Sequence, residues 1–367
     1  MRQTRLLKKL DALIGPLLAR ILPASHSANQ ADLCLTKSST STLLFIRPGG
    51  IGDAVLLLPV LQAVRDKYPA VELVVLAEKR NAGAFALCPA LDEILCYDDW
   101  RHWGRLFKRR YAVVVDTEQS HYLSAVIARF LRAGTRTGFA TNNRSRLLSL
   151  AVPYSQQDYE LGSFARLVSA SGISLGSVAC RDFISIPEEV QRTCDKLLEC
   201  LQGVPFVVLF PGSSIAERRW QIEKFHTLAQ RCNAAGYAVV VVGGAEDRGR
   251  GEAIVAGLKG TNLAGKTTIK QTAAVLKRAK LLVSGDSGVM HLGIAVGCPT
   301  VALFGPGIAK KWAPRAPDCH IVNLELKCAP CTQFGTTPPC PYGAACIRDI
   351  SVDMVWPEAQ KLLKLRD

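Results

Sequence analysis

Twice along this chain a short apolar strand ends in a glycine-rich turn and passes into a helix, and this repeated unit limits the fold more than any other feature. Thr42–Ile46 runs into Arg47-Pro48-Gly49-Gly50-Ile51-Gly52-Asp53 and then a helix to about residue 67. Strands follow at 71–77 and 112–116, the second leading into a helix around 121–132. The pattern restarts at Phe206–Phe210, which ends in Pro211-Gly212-Ser213-Ser214, followed by helix 221–235, strand 238–242 and the turn Gly243-Gly244. A strand at 280–283, a glycine turn at 285–288, a helix to Val296 and the strand Thr300–Phe304 complete the second series. Short buried strands alternating with longer amphipathic segments predict α/β units on mainly parallel sheets. Ligands bind outside the carboxyl ends of such strands, where every one of these glycine turns falls, so the active site is expected in a cleft between two domains.

The rest of the chain is read around these series. Residues 1–24 form a basic amphipathic helix, then a linker at 25–40 and a first domain at 41–165. A mostly helical connection at 166–200 leads to a second domain at 201–350 and a closing helix at 351–367. In the first helix Leu6, Leu7, Leu10, Leu13, Ile14, Leu17, Leu18, Ile21 and Leu22 recur at helical spacing, with Arg2, Arg5, Lys8 and Lys9 supplying charge. That pattern suits either packing on the protein itself or lying in the headgroup layer of an anionic membrane. With 367 residues, 49% of them hydrophobic, the chain has material for two cores. No segment reaches the roughly 18 apolar residues that span a bilayer, and the start lacks the apolar run of a secretory signal. The expected location is therefore cytoplasmic, and the first helix leaves room for a peripheral position on an anionic membrane surface. The formal charge of +14 fits nucleic acid, an anionic membrane surface or a phosphorylated small molecule. No nucleic-acid-binding signature is present, so nucleic acid is set aside.

Four groups of residues carry candidate chemistry. Gly49, Gly50 and Gly52 make a tight strand-to-helix turn, and Asp53 sits in the first helical turn, either as a helix cap or as a base for an attacking hydroxyl. Gly212, Ser213 and Ser214 offer backbone N–H groups, and Arg218 and Arg219 offer guanidinium donors suited to phosphate, with Trp220 as a brace or a core residue. In Gly243-Gly244-Ala245-Glu246-Asp247, Glu246 is placed to accept a ribose or base hydrogen bond or to cap a helix. Asp286 is placed to hold a sugar hydroxyl, Ser287 and Gly288 open a helix whose N–H groups receive a pyrophosphate, and His291 lies one turn on, as a packing residue or a contact.

The thirteen cysteines are mostly singletons in apolar runs, such as Cys194, Cys232 and Cys298, read as small buried hydrophobes. Cys328, Cys331, Cys340 and Cys346 crowd together, and their spacing admits a structural zinc or iron site, two disulfides, or free thiols in a tight loop.

Together, residues 46–53, 211–214 with Arg218-Arg219-Trp220, 285–288 with His291, and 297–306 resemble the bacterial ADP-heptose:lipopolysaccharide heptosyltransferases, glycosyltransferase family 9. The likeness runs from about residue 42 to 365. It implies a GT-B fold of two Rossmann-like domains facing across a cleft. It also implies inverting, metal-independent transfer from an ADP-heptose donor to an inner-core lipopolysaccharide acceptor, with no cofactor required. Asp53 matches the family's catalytic base, and Arg47 stands where the family has a basic residue beside it. Arg218 falls where the family often has a lysine near the donor phosphates. Glu246 matches the acidic residue on the nucleoside side and Asp286 the one that grips the heptose, while Ser287, Gly288 and His291 line the pyrophosphate end. The resemblance leaves one rival within enzymes, an ADP-heptose-dependent protein O-heptosyltransferase with a cysteine-bound structural metal. An NAD-dependent enzyme would need a clean dinucleotide fingerprint, which 48–53 does not supply.

Overall fold

The computed structural model describes residues 2–25 and 41–364, so the expected linker at 25–40 lies almost wholly outside the described residues, as does the end of the closing helix. The chain divides into two units, Met1–Val178 and Ala179–Asp367.

The first unit is built on β1 (Thr42–Ile46), β2 (Glu72–Ala77), β3 (Glu93–Cys96), β4 (Arg110–Asp116), β5 (Arg132–Phe139) and β6 (Leu150–Val152). They pair in the order β3-β2-β1-β4-β5-β6, every neighbour parallel. Leu44 of β1 lies opposite Val74 and Val114, so the sheet centre is a band of branched aliphatics, as a sheet covered on both faces requires. The helix Ile51–Lys67 is apolar on nearly every side and buried at each residue from Ala54 to Leu61. Such a helix belongs inside the core rather than on its surface.

The second unit repeats the plan with β7 (Phe206–Phe210), β8 (Ala238–Val241), β9 (Gly260–Asn262), β10 (Leu281–Gly285), β11 (Thr300–Phe304) and β12 (Cys319–Asn323). The order β12-β11-β10-β7-β8-β9 is that of the first sheet, again all parallel. Its core joins Val207, Leu209, Val239, Val241 and Val283 to Val355, Ala359 and Leu362 of the last helix, Val352–Lys364. The isolated cysteines Cys194, Cys232 and Cys298 are fully buried.

Several strands go beyond the sequence reading. β5, with sequence RAGTRTGF, carries no apolar run, and β9 is three residues long. Partners on the sheet make these strands, not local preference. The segment 166–200 also differs from a mostly helical connection. Glu160–Ala170 is a helix of the first unit and Glu188–Leu198 a helix of the second, while 171–187 is irregular.

The N-terminal helix, Arg2–Ile21, packs on the first unit, but Leu10, Leu13 and Leu17 stay exposed. The face turned inward is Asp11, Gly15 and Ala19, three small or polar residues four apart. Asp11 accepts the backbone N–H of Leu123 at 2.7 Å and lies 3.2 Å from Nδ1 of His121, so it serves the N-terminus of helix Tyr122–Phe130 from another element. A Cβ at Gly15 would fall 2.6 Å from Cβ of Tyr122, so only glycine permits this approach. Leu18 and Leu22 reach the edge of the contact, against Ala125, Val126, Leu147 and Leu148. Among the described residues, no helix is long and apolar enough to cross a membrane.

One buried charge pair sits under the end of β4. Asp116 and Arg144 are both wholly inaccessible and ion-paired, and Arg144 also donates to the carbonyl of Glu118 at 2.5 Å and to Oγ of Ser124 at 3.1 Å. Burial pushes the Asp116 carboxyl up, and Arg144 opposes that shift. Arg144→Met should leave Asp116 buried and unpaired and destabilise the first unit by about 3–5 kcal/mol, whereas adding Asp116→Leu should recover much of the loss. Chemical denaturation read as separate transitions for the two units checks this.

Candidate functional site

In each unit the strand order reverses beside the first strand, between β1 and β4 and between β7 and β10. Loops leaving neighbouring strands diverge at such a point and open a crevice at their carboxyl ends. Residues 47–53 fall at the first of these points and residues 211–219 and 285–288 at the second, while Glu246 follows β8 and the four clustered cysteines follow β12.

In the first unit, Arg47 directly follows β1, and Gly49 takes φ +106°, a conformation in which glycine carries no Cβ penalty. Gly50 caps the helix, with Gly52 and Asp53 in its first turn. The Asp53 carboxylate takes its hydrogen bond from Nε2 of Gln119 at 3.1 Å rather than from the helix's own N–H groups. Its side chain is 21% exposed, against 3% for Arg47 and 5% for Glu118. Arg47 is consumed internally. It donates to the carbonyls of Pro48 at 2.8 Å and Thr117 at 2.7 Å, and to Glu118 and Gln119 at 3.2 Å each, while lying 3.7 Å from Asp53. Burial alone would lower the Arg47 pKa, but Asp53, then Glu118 and Glu160, outweigh it and raise it, so the guanidinium stays charged. Arg47 therefore braces the loops after β1 and β4 against each other.

The sequence reading missed the other half of this cluster. Glu118 directly follows the turn at the end of β4 and accepts the backbone N–H groups of Gln119, Ser120 and His121 as well as Arg47. Burial would raise its pKa, and Arg47, first among several partners, holds it below the ordinary carboxylate value. Gln119 also donates to Glu160 at 2.6 Å, and Tyr154 donates to the same carboxylate at 3.0 Å. The Tyr154 phenol is raised by burial and then by Glu160, so it remains a donor. Glu118 and Gln119 were findable, since they follow a strand already read at 112–116. Glu160 and Tyr154 carried no local signal.

In the second unit, β7 leads into Gly212, Ser213 and Ser214. A Cβ at Gly212 would fall 2.4 Å from Oδ2 of Asp247, so the loop after β7 touches the loop after β8 only because it carries glycine there. Asp247, passed over in the sequence, is the buried member of its pair. It accepts the Gly244 N–H at 3.1 Å and pairs with Arg250 at 3.0 Å, while Glu246 stays exposed to solvent. Arg219 donates from Nε and NH2 to the carbonyl of Ser213, at 2.9 and 2.6 Å, so it braces the loop. Trp220 is a core residue, 3% exposed, with its indole N–H on the carbonyl of Ile350 at 2.9 Å and its ring edge-on to Phe225. Arg218, separately read as a phosphate donor, lies 2.8 Å from Asp286, separately read as a sugar acceptor.

Ser287 caps the helix Gly288–Ala295, its hydroxyl accepting the Met290 N–H at 3.2 Å and lying 2.9 Å from Oγ of Ser284. The N–H groups of the first turn of a helix lack partners within it, and an anion is favoured there. His291 is 5% exposed, its Nδ1 has no hydrogen-bond partner among the described residues, and burial lowers its pKa to about 4. Its imidazole is neutral at physiological pH.

Cys328, Cys331, Cys340 and Cys346 line one small pocket with Glu217, Pro306 and Tyr342, all four as free cysteines. Burial, then the neighbouring thiols, pushes Cys331 and Cys346 up, which favours protonated thiols. Among the described residues no group of three or more His, Cys, Asp or Glu is arranged to hold a metal ion.

Comparison with known proteins bears on the fold and the family. The lipopolysaccharide heptosyltransferase 2 of Salmonella typhimurium is 24% identical over 305 residues, covering 77% of this chain and 88% of the relative. The solved structure of E. coli ADP-heptose lps heptosyltransferase II superposes with a TM-score of 0.74 at 22% identity, covering 88% of this chain and 99% of that one. That of E. coli heptosyltransferase WaaC with ADP gives 0.66 at 17% identity, covering 88% and 98%. Two parallel-sheet Rossmann-like units of the GT-B type are thus shared with both. The sequence profile of glycosyltransferase family 9 (heptosyltransferase) matches residues 99–340, and this chain belongs to that family.

Proposed function

We propose that this protein transfers heptose from ADP-heptose to an inner-core lipopolysaccharide hydroxyl, inverting the anomeric centre without a metal, with Asp53 as the base. The observation that carries the reading is the contrast among the carboxylates at the end of β1 and β4. Glu118 and Glu160 are spent on internal partners, whereas Asp53 is part-exposed and held by Gln119. A base must be fixed in direction and reach solvent-borne substrate, and Asp53 meets both conditions. The attacking hydroxyl forms the new bond to the anomeric carbon as the bond to ADP breaks, and its proton passes to Asp53. The leaving diphosphate gains negative charge, which Arg218 and the N-terminus of helix Gly288–Ala295 are suited to stabilise. Asp286, paired with Arg218, orients that guanidinium and accepts a hydroxyl of the heptose. Glu246 remains the candidate for the nucleoside and His291 a neutral contact at the pyrophosphate end. Family membership supports the same donor and acceptor classes, and the cytoplasmic location read from the sequence accompanies them.

Asp53→Asn should lower turnover by roughly 10²–10⁴-fold, the range for removal of a general base, while ADP-heptose binding persists. Near-normal turnover would overturn the assignment. Gln119→Leu should lower kcat about tenfold with KM for the donor little changed, because a misdirected base reacts less often without loss of binding. Turnover should survive exhaustive chelation, and its loss would reject the metal-free mechanism.

Arg218→Ala should weaken both ADP and ADP-heptose by about 1–3 kcal/mol, measured by calorimetric titration. Asp286→Ala should weaken ADP-heptose more than ADP. Because the two side chains touch, the double variant should lose less than the sum of the single losses. Equal loss of both ligands in Asp286→Ala would count against sugar contact.

A further inference from the structure

The N-terminal helix Arg2–Ile21 presents to solvent the residues an amphipathic helix ordinarily buries. Leu13 is 76% exposed, Ile21 68%, Leu17 55%, Leu10 38% and Ile14 37%. At spacings of three and four these side chains form one stripe along the helix. The face that docks is the other one, Asp11, Gly15 and Ala19. The helix is therefore held on the domain by small residues and a carboxylate, with Leu18 at the edge of the contact, while Leu10, Leu13, Ile14, Leu17 and Ile21 stay exposed. Hydrogen bonds also fix the segment just after it: Nε of Arg129 donates to the carbonyl of Pro23 at 3.1 Å, and the Ser25 N–H donates to the carbonyl of Arg146 at 2.8 Å.

We propose that this stripe docks the protein on an anionic lipid surface, with the first unit carried beneath the helix. Charge decides between occupants. The helix contains Arg2, Arg5, Lys8, Lys9 and Arg20 and a single acidic residue, Asp11. That acid is 5% exposed and bound to the N-terminus of helix Tyr122–Phe130, so no negative side chain of the described part of the helix competes at the outer face. The whole chain carries a formal +14. A second copy would bring like charge to like charge, whereas a negatively charged lipid layer takes both the basic residues and the aliphatic stripe. An uncovered row of leucines and isoleucines on a charged helix is also the pattern expected of an interfacial helix and not of a free surface. The inference stands on the helix alone and does not depend on the proposed reaction.

Sedimentation of the full chain with vesicles tests it. Binding to vesicles containing phosphatidylglycerol should exceed binding to phosphatidylcholine vesicles and should weaken as salt is raised. The variant Leu13→Glu, Leu17→Glu, Ile21→Glu changes exposed positions only and should lower binding at least about tenfold, with ADP binding retained as proof of folding. A second variant, Arg5→Gln, Lys8→Gln, Lys9→Gln, Arg20→Gln, should lose the preference for phosphatidylglycerol. Equal sedimentation of wild type and the triple glutamate variant would overturn the proposal. So would a wild-type dimer by light scattering that the triple variant converts to monomer without any lipid binding, since the stripe would then be an interface between copies.

Discussion

The guanidinium of Arg47 is the interaction on which the first unit's site depends. β1 and β4 are neighbours whose following loops part company, one into the helix Ile51–Lys67 and the other toward Glu118 and Gln119. Arg47 spans that divergence, with donors on Pro48 and Thr117 and on the side chains of Glu118 and Gln119. A buried cation with all its partners in place is stable, but losing one partner leaves an uncompensated charge, so such a cluster tolerates little drift. Asp53 inherits this rigidity through Gln119.

The second unit solves the same geometric problem with backbone instead of charge. The loop after β7 lies against the loop after β8 because Gly212 and Gly243 both leave room for Asp247. Arg219 then ties its own loop through the Ser213 carbonyl, and Trp220 pins the segment to the carbonyl of Ile350, just before the last helix. What remains outward of this scaffold is Arg218, set against Asp286. This cation and this acid, 2.8 Å apart, hold each other in place.

The N-terminal helix follows a different logic. Amphipathic helices usually dock through their widest apolar face, as hydrophobic burial favours. Here Gly15 and the inward Asp11 permit a backbone approach that the leucine face could not make, and the hydrogen bond to Leu123 adds an interaction leucine lacks. The periodicity was plain in the sequence, but the choice of face was not, because spacing reports that a stripe exists and says nothing of what lies opposite.

The same division runs through the whole chain. The local pattern was sufficient for the two βα series, the glycine turns, the turn carrying Asp53 and the loops carrying Arg218 and Asp286. These features arise from neighbours in sequence: strand apolarity, turn chemistry and helix starts act over a few residues. The tertiary structure alone determined the strands β5 and β9, the split of 166–200 between the units, and the roles of Arg47, Arg219 and Trp220 as braces. It also brought Gln119, Glu160 and Tyr154 to Asp53 from 66 residues away and beyond. Four cysteines close in sequence share a pocket without a metal-holding arrangement among the described residues, for the same reason. Spacing along a loop constrains which side chains can meet, but coordination distance and direction are set by the packing around the loop. Sequence proximity encodes conformation, while partners across a sheet are encoded only in how the strands are ordered, and that order is a property of the assembled core.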